Sequence, residues 1–202
     1  MAGEPSQTGW NHNVHYYRLI LDSIPQHARS ALDVGCGEGT LCRALRKRTP
    51  HVVGIDADEK SIALANAADG DIEYLHGDFL SHEFEPTSFD VIASVASLHH
   101  MDVESALVRM RDLLRSGGVL ALVGLARRSA ADLPYDAVGF FAHRLQKLRR
   151  GYWDHPSPVA EPQHTHRELR ELVGATLPGA RYRQRVLFRY SVIWTKPPNR
   201  PG

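Results

Sequence analysis

The sequence predicts an α/β fold built on a doubly wound, mostly parallel sheet. Three observations predict it. Residues 31–45 read Ala-Leu-Asp-Val-Gly-Cys-Gly-Glu-Gly-Thr-Leu-Cys-Arg-Ala-Leu, an apolar stub, three alternating glycines and then a helical pattern. That order reads as strand, tight turn, helix. Further short apolar runs follow, most of them separated by a helical pattern, as βαβ units require. Finally, residues 119–125, Val-Leu-Ala-Leu-Val-Gly-Leu, form an unbroken apolar run, as a parallel strand buried on both faces does.

The chain has 202 residues, enough for one domain with a full-sized core. It carries 24 Lys and Arg against 23 Asp and Glu, a net charge of +1, which gives no electrostatic reason to expect a nucleic-acid partner. No apolar run is long enough to span a bilayer, so no membrane partner is expected. The first eight residues, Met-Ala-Gly-Glu-Pro-Ser-Gln-Thr, lack an apolar signal core, and a cytoplasmic location is the expectation. Cys36 and Cys42 form neither a CxxC nor a zinc pattern and read as free thiols. The twelve histidines show no metal-binding spacing, and no metal is expected.

The glycines at 35, 37 and 39 permit unusual backbone angles and close approach of a ligand to the main chain. A new helix then offers free N–H groups. The dinucleotide pattern G-x-G-x-x-G would want glycine at Thr40, but here the third glycine comes one residue early. An acid, Asp33, stands two residues before the first. This Asp-x-Gly-x-Gly-x-Gly stretch resembles the first motif of class I S-adenosylmethionine (SAM)-dependent methyltransferases. The resemblance implies that SAM binds and leaves as S-adenosylhomocysteine (SAH). It also implies that Asp33 helps to hold the methionine ammonium, with Gly35, Cys36, Gly37 and Gly39 forming the turn around that end of the cofactor.

Residues 1–9 read as disordered. Val14, Tyr17 and Leu21, with Tyr16 and Ile20, recur at helical spacing, and Pro25 marks the exit. In the family such a helix lies over the cofactor and acceptor pockets, so His12, His15 and Tyr16 are candidate substrate-binding residues. Strand one spans about 30–35, and its helix runs to about Arg48, ahead of Pro50. Strand two, His51 to Asp56, closes on an acid some 20 residues after the first glycine, where a ribose ligand sits in nucleotide-binding α/β folds. Asp58 reads as the N-cap of the next helix, and Gly70 as a C-cap glycine. Strand three, residues 72–76, ends in Gly77-Asp78-Phe79. This resembles the family's third cofactor element, in which the acid takes the adenine amino group and the next apolar residue flanks the ring. Ala57 and Ser94, at the ends of strands two and four, complete the candidate cofactor-binding set.

Strand four, residues 89–95, leads into Ala-Ser-Leu-His-His-Met, which lines the ligand edge of an open α/β sheet. His99 and His100 are the candidate catalytic residues, as a general base on an acceptor hydroxyl or amine. Asp102 reads as the cap of a helix running through Arg115, broken by Ser-Gly-Gly118 before strand five. The resemblance covers residues 28–126. Residues 127–162 read as an inserted helical and loop cap, with Tyr152 and Trp153 as further candidate substrate-binding residues. A helix over 164–173 and two β-rich runs, 181–188 and 189–195, follow. Charge alternation along 181–185 predicts an exposed face. These two runs match the last strands of the family's Rossmann-like seven-stranded sheet, whose final strand is antiparallel.

Residues 10–198 are thus expected to form one SAM-dependent methyltransferase domain, monomeric or homodimeric. The expected reaction is methyl transfer to O or N of a small-molecule acceptor. A non-catalytic SAM-binding regulatory module, or a methyltransferase of a peptide or protein, is the alternative. A nicotinamide oxidoreductase is disfavoured by the misplaced third glycine.

Overall fold

The computed structural model describes residues 16–127, 161–185 and 189–198. The expected N-terminal disorder and all but the ends of the cap expected over 127–162 lie outside them, as do His12, His15, Tyr152 and Trp153. The described chain runs α1 (Tyr17–Leu21), β1 (Ser30–Val34), α2 (Thr40–Arg46), β2 (His51–Asp56), α3 (Glu59–Ala68), β3 (Glu73–His76) and β4 (Phe89–Val95). A single 3-10 turn (Leu98–His100) leads to α4 (Val103–Leu113), β5 (Leu114–Leu125), α5 (His166–Thr176), β6 (Arg181–Arg185) and β7 (Arg189–Thr195).

The strands form one seven-stranded sheet in the order β3-β2-β1-β4-β5-β7-β6. The first five are parallel, and β7 is antiparallel to both β5 and β6. The chain builds outward from β1 to β3, returns, and builds the other way from β4. Ligands bind at such a reversal, beyond the carboxyl ends of the strands.

Each face of the sheet is covered by its own apolar cluster. One cluster joins Leu32, Ile92 and Leu120 to Leu107, Met110, Leu169 and Tyr190, so α4 and α5 lie on that side. The other joins Ala31, Val91 and Ala121 to Ile20, Leu41, Leu45 and Ile62, so α1, α2 and α3 lie opposite. The apolar runs of the central strands are what two-sided burial demands.

The helix starts follow the sequence. Asp58 accepts from the backbone and hydroxyl of Ser61, and Asp102 accepts from the Ser105 N–H, each satisfying a donor the helix leaves free. Thr165 and Glu168 form a reciprocal capping box that opens α5.

Two expectations need correction. Gly70 is not a left-handed C-cap: its φ is not positive, and α3 ends instead on Asp69, whose backbone is extended. Nor do residues 116–118 lie outside strand five. β5 begins at Leu114, paired with Phe89, and its register then shifts to Val91 opposite Val119. The chain tail holds the intervening residues in place, since Gly117 donates to the Lys196 carbonyl and Lys196 to the Gly118 carbonyl.

Candidate functional site

The carboxyl ends of β1, β2 and β4 and the turns after them build the site. β1 ends in a turn in which Gly35, Gly37 and Gly39 all adopt left-handed backbone angles, which favour glycine. The three glycines do different work. A Cβ on Gly35 would collide with the side chain of Ser97, whose hydroxyl donates to the Val34 carbonyl at 2.8 Å and pairs with Ser94 at 2.7 Å. A Cβ on Gly39 would collide with the Tyr74 ring. Among the described residues nothing lies within 4 Å of a Cβ built on Gly37, so the backbone is bare there.

Asp56 clamps this turn. One carboxylate oxygen accepts from the Gly37 N–H at 2.7 Å and the other from the Asp58 N–H at 2.9 Å. Each oxygen keeps a further lone-pair site for a ligand hydroxyl. Ala57 sits beside it, and its carbonyl meets His76 Nε2 at 3.2 Å. Asp78 is exposed at the end of β3, and one of its oxygens takes the Leu80 N–H. Phe79 is the residue expected to flank the adenine ring. It is 3 % exposed, packs with Phe84 and lies under the Arg109 guanidinium, which holds the chain next to Asp78 against the core.

Asp33 is 1 % exposed, beneath the turn. The Cys42 thiol donates to its carboxylate at 3.3 Å. Burial pushes the Asp33 carboxyl up to about 7; the Cys42 bond opposes this, and the Asp56 charge adds to it. Its own burial drives the phenol of Tyr17, on α1, well above its ordinary range, with the Asp33 charge the next cause. Cys36 and Cys42 are both buried free thiols.

The other wall follows β4. Ala96 holds a positive φ, unusual for a residue with a side chain, and its N–H is taken by the Val123 carbonyl. The backbone is thereby bent to bring Leu98–His100 over the strand ends. The rings of His99 and His100 lie 4.1 Å apart. His99 is half-buried, and its Nδ1 is buried with no hydrogen-bond partner among the described residues. Burial, then the neighbouring His100 and Arg189, hold the His99 imidazole down to about 4, neutral at physiological pH. A small cleft beside it is lined by Met101, Leu125, His164 and Tyr190. Tyr16 is 6 % exposed at the start of α1. Burial raises its phenol, while Arg185 and Arg189 pull it down.

The described site residues thus converge on one edge of the sheet. Ser97, Tyr74, Arg185 and Arg189 were missed from sequence. The alternation of charge in 181–185 was legible, but the direction of the strand carrying it to this edge was not.

The fold and this site define a methyltransferase, and three comparisons agree. Residues 32–122 match the family model described as a methyltransferase domain. The chain is 35% identical over 192 residues to an uncharacterized methyltransferase, Rv0089, of Mycobacterium tuberculosis, covering 93% of this chain and 98% of that protein. It is 38% identical over 103 residues to a ubiquinone biosynthesis O-methyltransferase of Neisseria meningitidis, covering 45% of this chain and 43% of that one. Its fold matches a solved S-adenosylmethionine dependent methyltransferase from Mesorhizobium loti with a TM-score of 0.64 at 18% identity, over 90% and 97% of the two chains. The chain belongs to the class I SAM-dependent methyltransferases. Among the described residues, no helix is long and apolar enough to cross a membrane.

Proposed function

We propose that the enzyme methylates an oxygen or nitrogen of a small-molecule acceptor, bound beside His99 at the β4–β5 edge. The observation that carries this reading is a small recess lined by His99, Met101, Leu125, His164 and Tyr190. Recesses of apolar and aromatic walls with a few polar groups suit small ligands. The name of the Neisseria relative, which acts in ubiquinone biosynthesis, lends support.

The residues present fit SAM. Open backbone at Gly37 leaves room for a ligand against the main chain, and Asp56 retains acceptor sites for a ribose diol. Asp78 offers a carboxylate for the adenine amino group, and Asp33 one for the methionine ammonium. SAM supplies the electrophilic methyl group on its sulfonium. The chain's own part is positioning: it fixes the cofactor through the turn and the three acids, and it walls the acceptor against that end of the sheet.

His99 and His100 were candidate bases. An imidazole held near 4 is a weak base at neutral pH. We therefore assign His99 the orientation of the acceptor, through the Nδ1 that has no partner among the described residues. Incubation with methyl-labelled SAM and fractionated small-molecule extract tests the whole reading. Label in a small organic product supports it. Label found only in protein redirects it to a macromolecular acceptor, and SAM binding without any transfer makes the protein a binding module.

A further inference from the structure

Two polar groups without partners line the recess at the end of β5. One belongs to Tyr190, on β7, which pairs with Gly124 of β5 in the antiparallel ladder. Gly124 has no side chain, so the Tyr190 ring lies across it, with its hydroxyl where a Cβ would stand. β5 separates β7 from β4, so the ring crosses toward the side of the sheet from which the His99 turn comes. Tyr182 stacks on it at 5.3 Å and 12° from parallel, and His166 stands nearly perpendicular to it at 6.4 Å. Tyr190 is 2 % exposed, and its hydroxyl has no hydrogen-bond partner among the described residues. Burial alone raises its phenol, so it stays neutral. The other group is His99 Nδ1, likewise buried with no partner among the described residues. Both side chains line the same recess.

A buried polar atom without a partner costs stability, and most such atoms in native proteins are satisfied. Two of them in one recess mark a place where a ligand completes the hydrogen bonds. The recess itself defines that ligand. Its volume is about 10 Å³, room for one hydroxyl-sized group and not for a ring. None of the described residues that line it is Asp, Glu, Lys or Arg. A carboxylate or an ammonium entering it would be buried without a counter-charge. A neutral hydroxyl fits, because it both donates and accepts. It can take the Tyr190 proton in one bond and complete the other with Nδ1 in either tautomer of His99. Met101, Val103 and Leu125 supply apolar walls for the carbon frame that carries it.

We propose that the acceptor is an uncharged alcohol or phenol, one hydroxyl of which seats between the Tyr190 hydroxyl and His99 Nδ1. Tyr190 then touches the acceptor as His99 does, and together they select a neutral substrate. This inference rests on the small-molecule reading above and names the class of its substrate.

The test is a calorimetric titration of SAH-saturated protein with phenol, fluorobenzene, benzoate and benzylammonium. Phenol is expected to bind about tenfold more tightly than fluorobenzene, the worth of two neutral hydrogen bonds, and more tightly than either ion. Tyr190→Phe, which removes only the hydroxyl, and His99→Leu should each weaken phenol about three- to tenfold and leave SAH affinity unmoved. Without phenol, Tyr190→Phe should melt no lower than wild type, because it deletes a hydroxyl that the free fold leaves unpartnered. Phenol binding no better than fluorobenzene, or not at all, means that the recess holds water only and overturns the proposal. Tighter binding of benzoate or benzylammonium overturns it too, as does unchanged phenol affinity in both variants while they still bind SAH. Failure of the wild-type protein to bind SAH refutes the cofactor reading beneath it, and the proposal with it. The labelled-extract experiment separates the two readings. Label in a small acid or amine without a hydroxyl defeats this inference alone, whereas label only in protein defeats the small-molecule reading as well.

Discussion

Replacing Asp33 by asparagine separates the stability of this protein from its function. The carboxyl is 1 % exposed and is raised from 3.8 to about 7. At about 1.4 kcal/mol per unit, the ionised form is disfavoured in the free fold by at most about 4 kcal/mol. The sign follows from linkage. The folded state holds this proton more tightly than the unfolded state, so the wild type loses stability as pH rises from about 4 to about 7, and no more above that. The amide introduced by Asp33→Asn has no such ionisation. Urea denaturation of both proteins should give similar stabilities near pH 4 and a more stable variant near pH 8, by up to about 4 kcal/mol. Effects of the other carboxylates cancel in the difference. The variant should also bind SAH about ten- to a hundredfold more weakly near pH 8, the worth of a charged hydrogen bond to the ammonium. Wild-type affinity should rise with pH up to about 7 as Asp33 loses its proton. Equal stability differences at both pH values, with unchanged SAH affinity, would refute both the burial argument and the assigned role.

Three further outcomes are expected. Asp56→Ala removes the carboxylate that takes the Gly37 and Asp58 N–H groups as well as the proposed ribose contacts, so SAM affinity should fall by about 1.5–3 kcal/mol and thermal stability should fall with it; a folded variant with unaltered affinity contradicts the ribose role. Gly37→Ala and Gly39→Ala should differ in kind: the first puts a methyl into open space and should weaken SAM binding at a strain cost of about 1–2 kcal/mol, while the second drives one into the Tyr74 ring and should destabilise the fold more, as thermal melts would show. Because His99 stays neutral down to about 4, kcat/KM for the true acceptor should show no inflection between about pH 5 and 8 arising from it, and His99→Gln should match wild type in its pH profile; an inflection near 6 lost in that variant would restore the base assignment.

Much of this site was legible because local chemistry fixed it. Three closely spaced glycines after an apolar run must turn, and the turn must leave backbone exposed, as it does at Gly37. Asp56 was legible because strand length sets where an acid falls relative to that turn. The caps at Asp58 and Asp102 follow from residue type and position alone. What escaped depended on partners distant in sequence. Ser97, far along the chain, fills the space Gly35 leaves. The pairing of Gly117 and Gly118 with Lys196 turned an apparent break into part of β5. The packing of Phe79 against Phe84 and Arg109 was likewise not visible in the sequence. The alternation along 181–185 was legible, but the antiparallel pairing that sets Arg185 opposite Arg189 at the end of β5 was not.

The central claim is that the glycine turn and its acids are built for the methionine and ribose of SAM rather than for a dinucleotide. A calorimetric titration of the purified protein with SAH, and in parallel with NAD, tests it most directly. The structure leads us to expect SAH to bind in the micromolar range through Asp33, the turn and Asp56, with no heat from NAD. Tighter binding of NAD than of SAH would contradict the account.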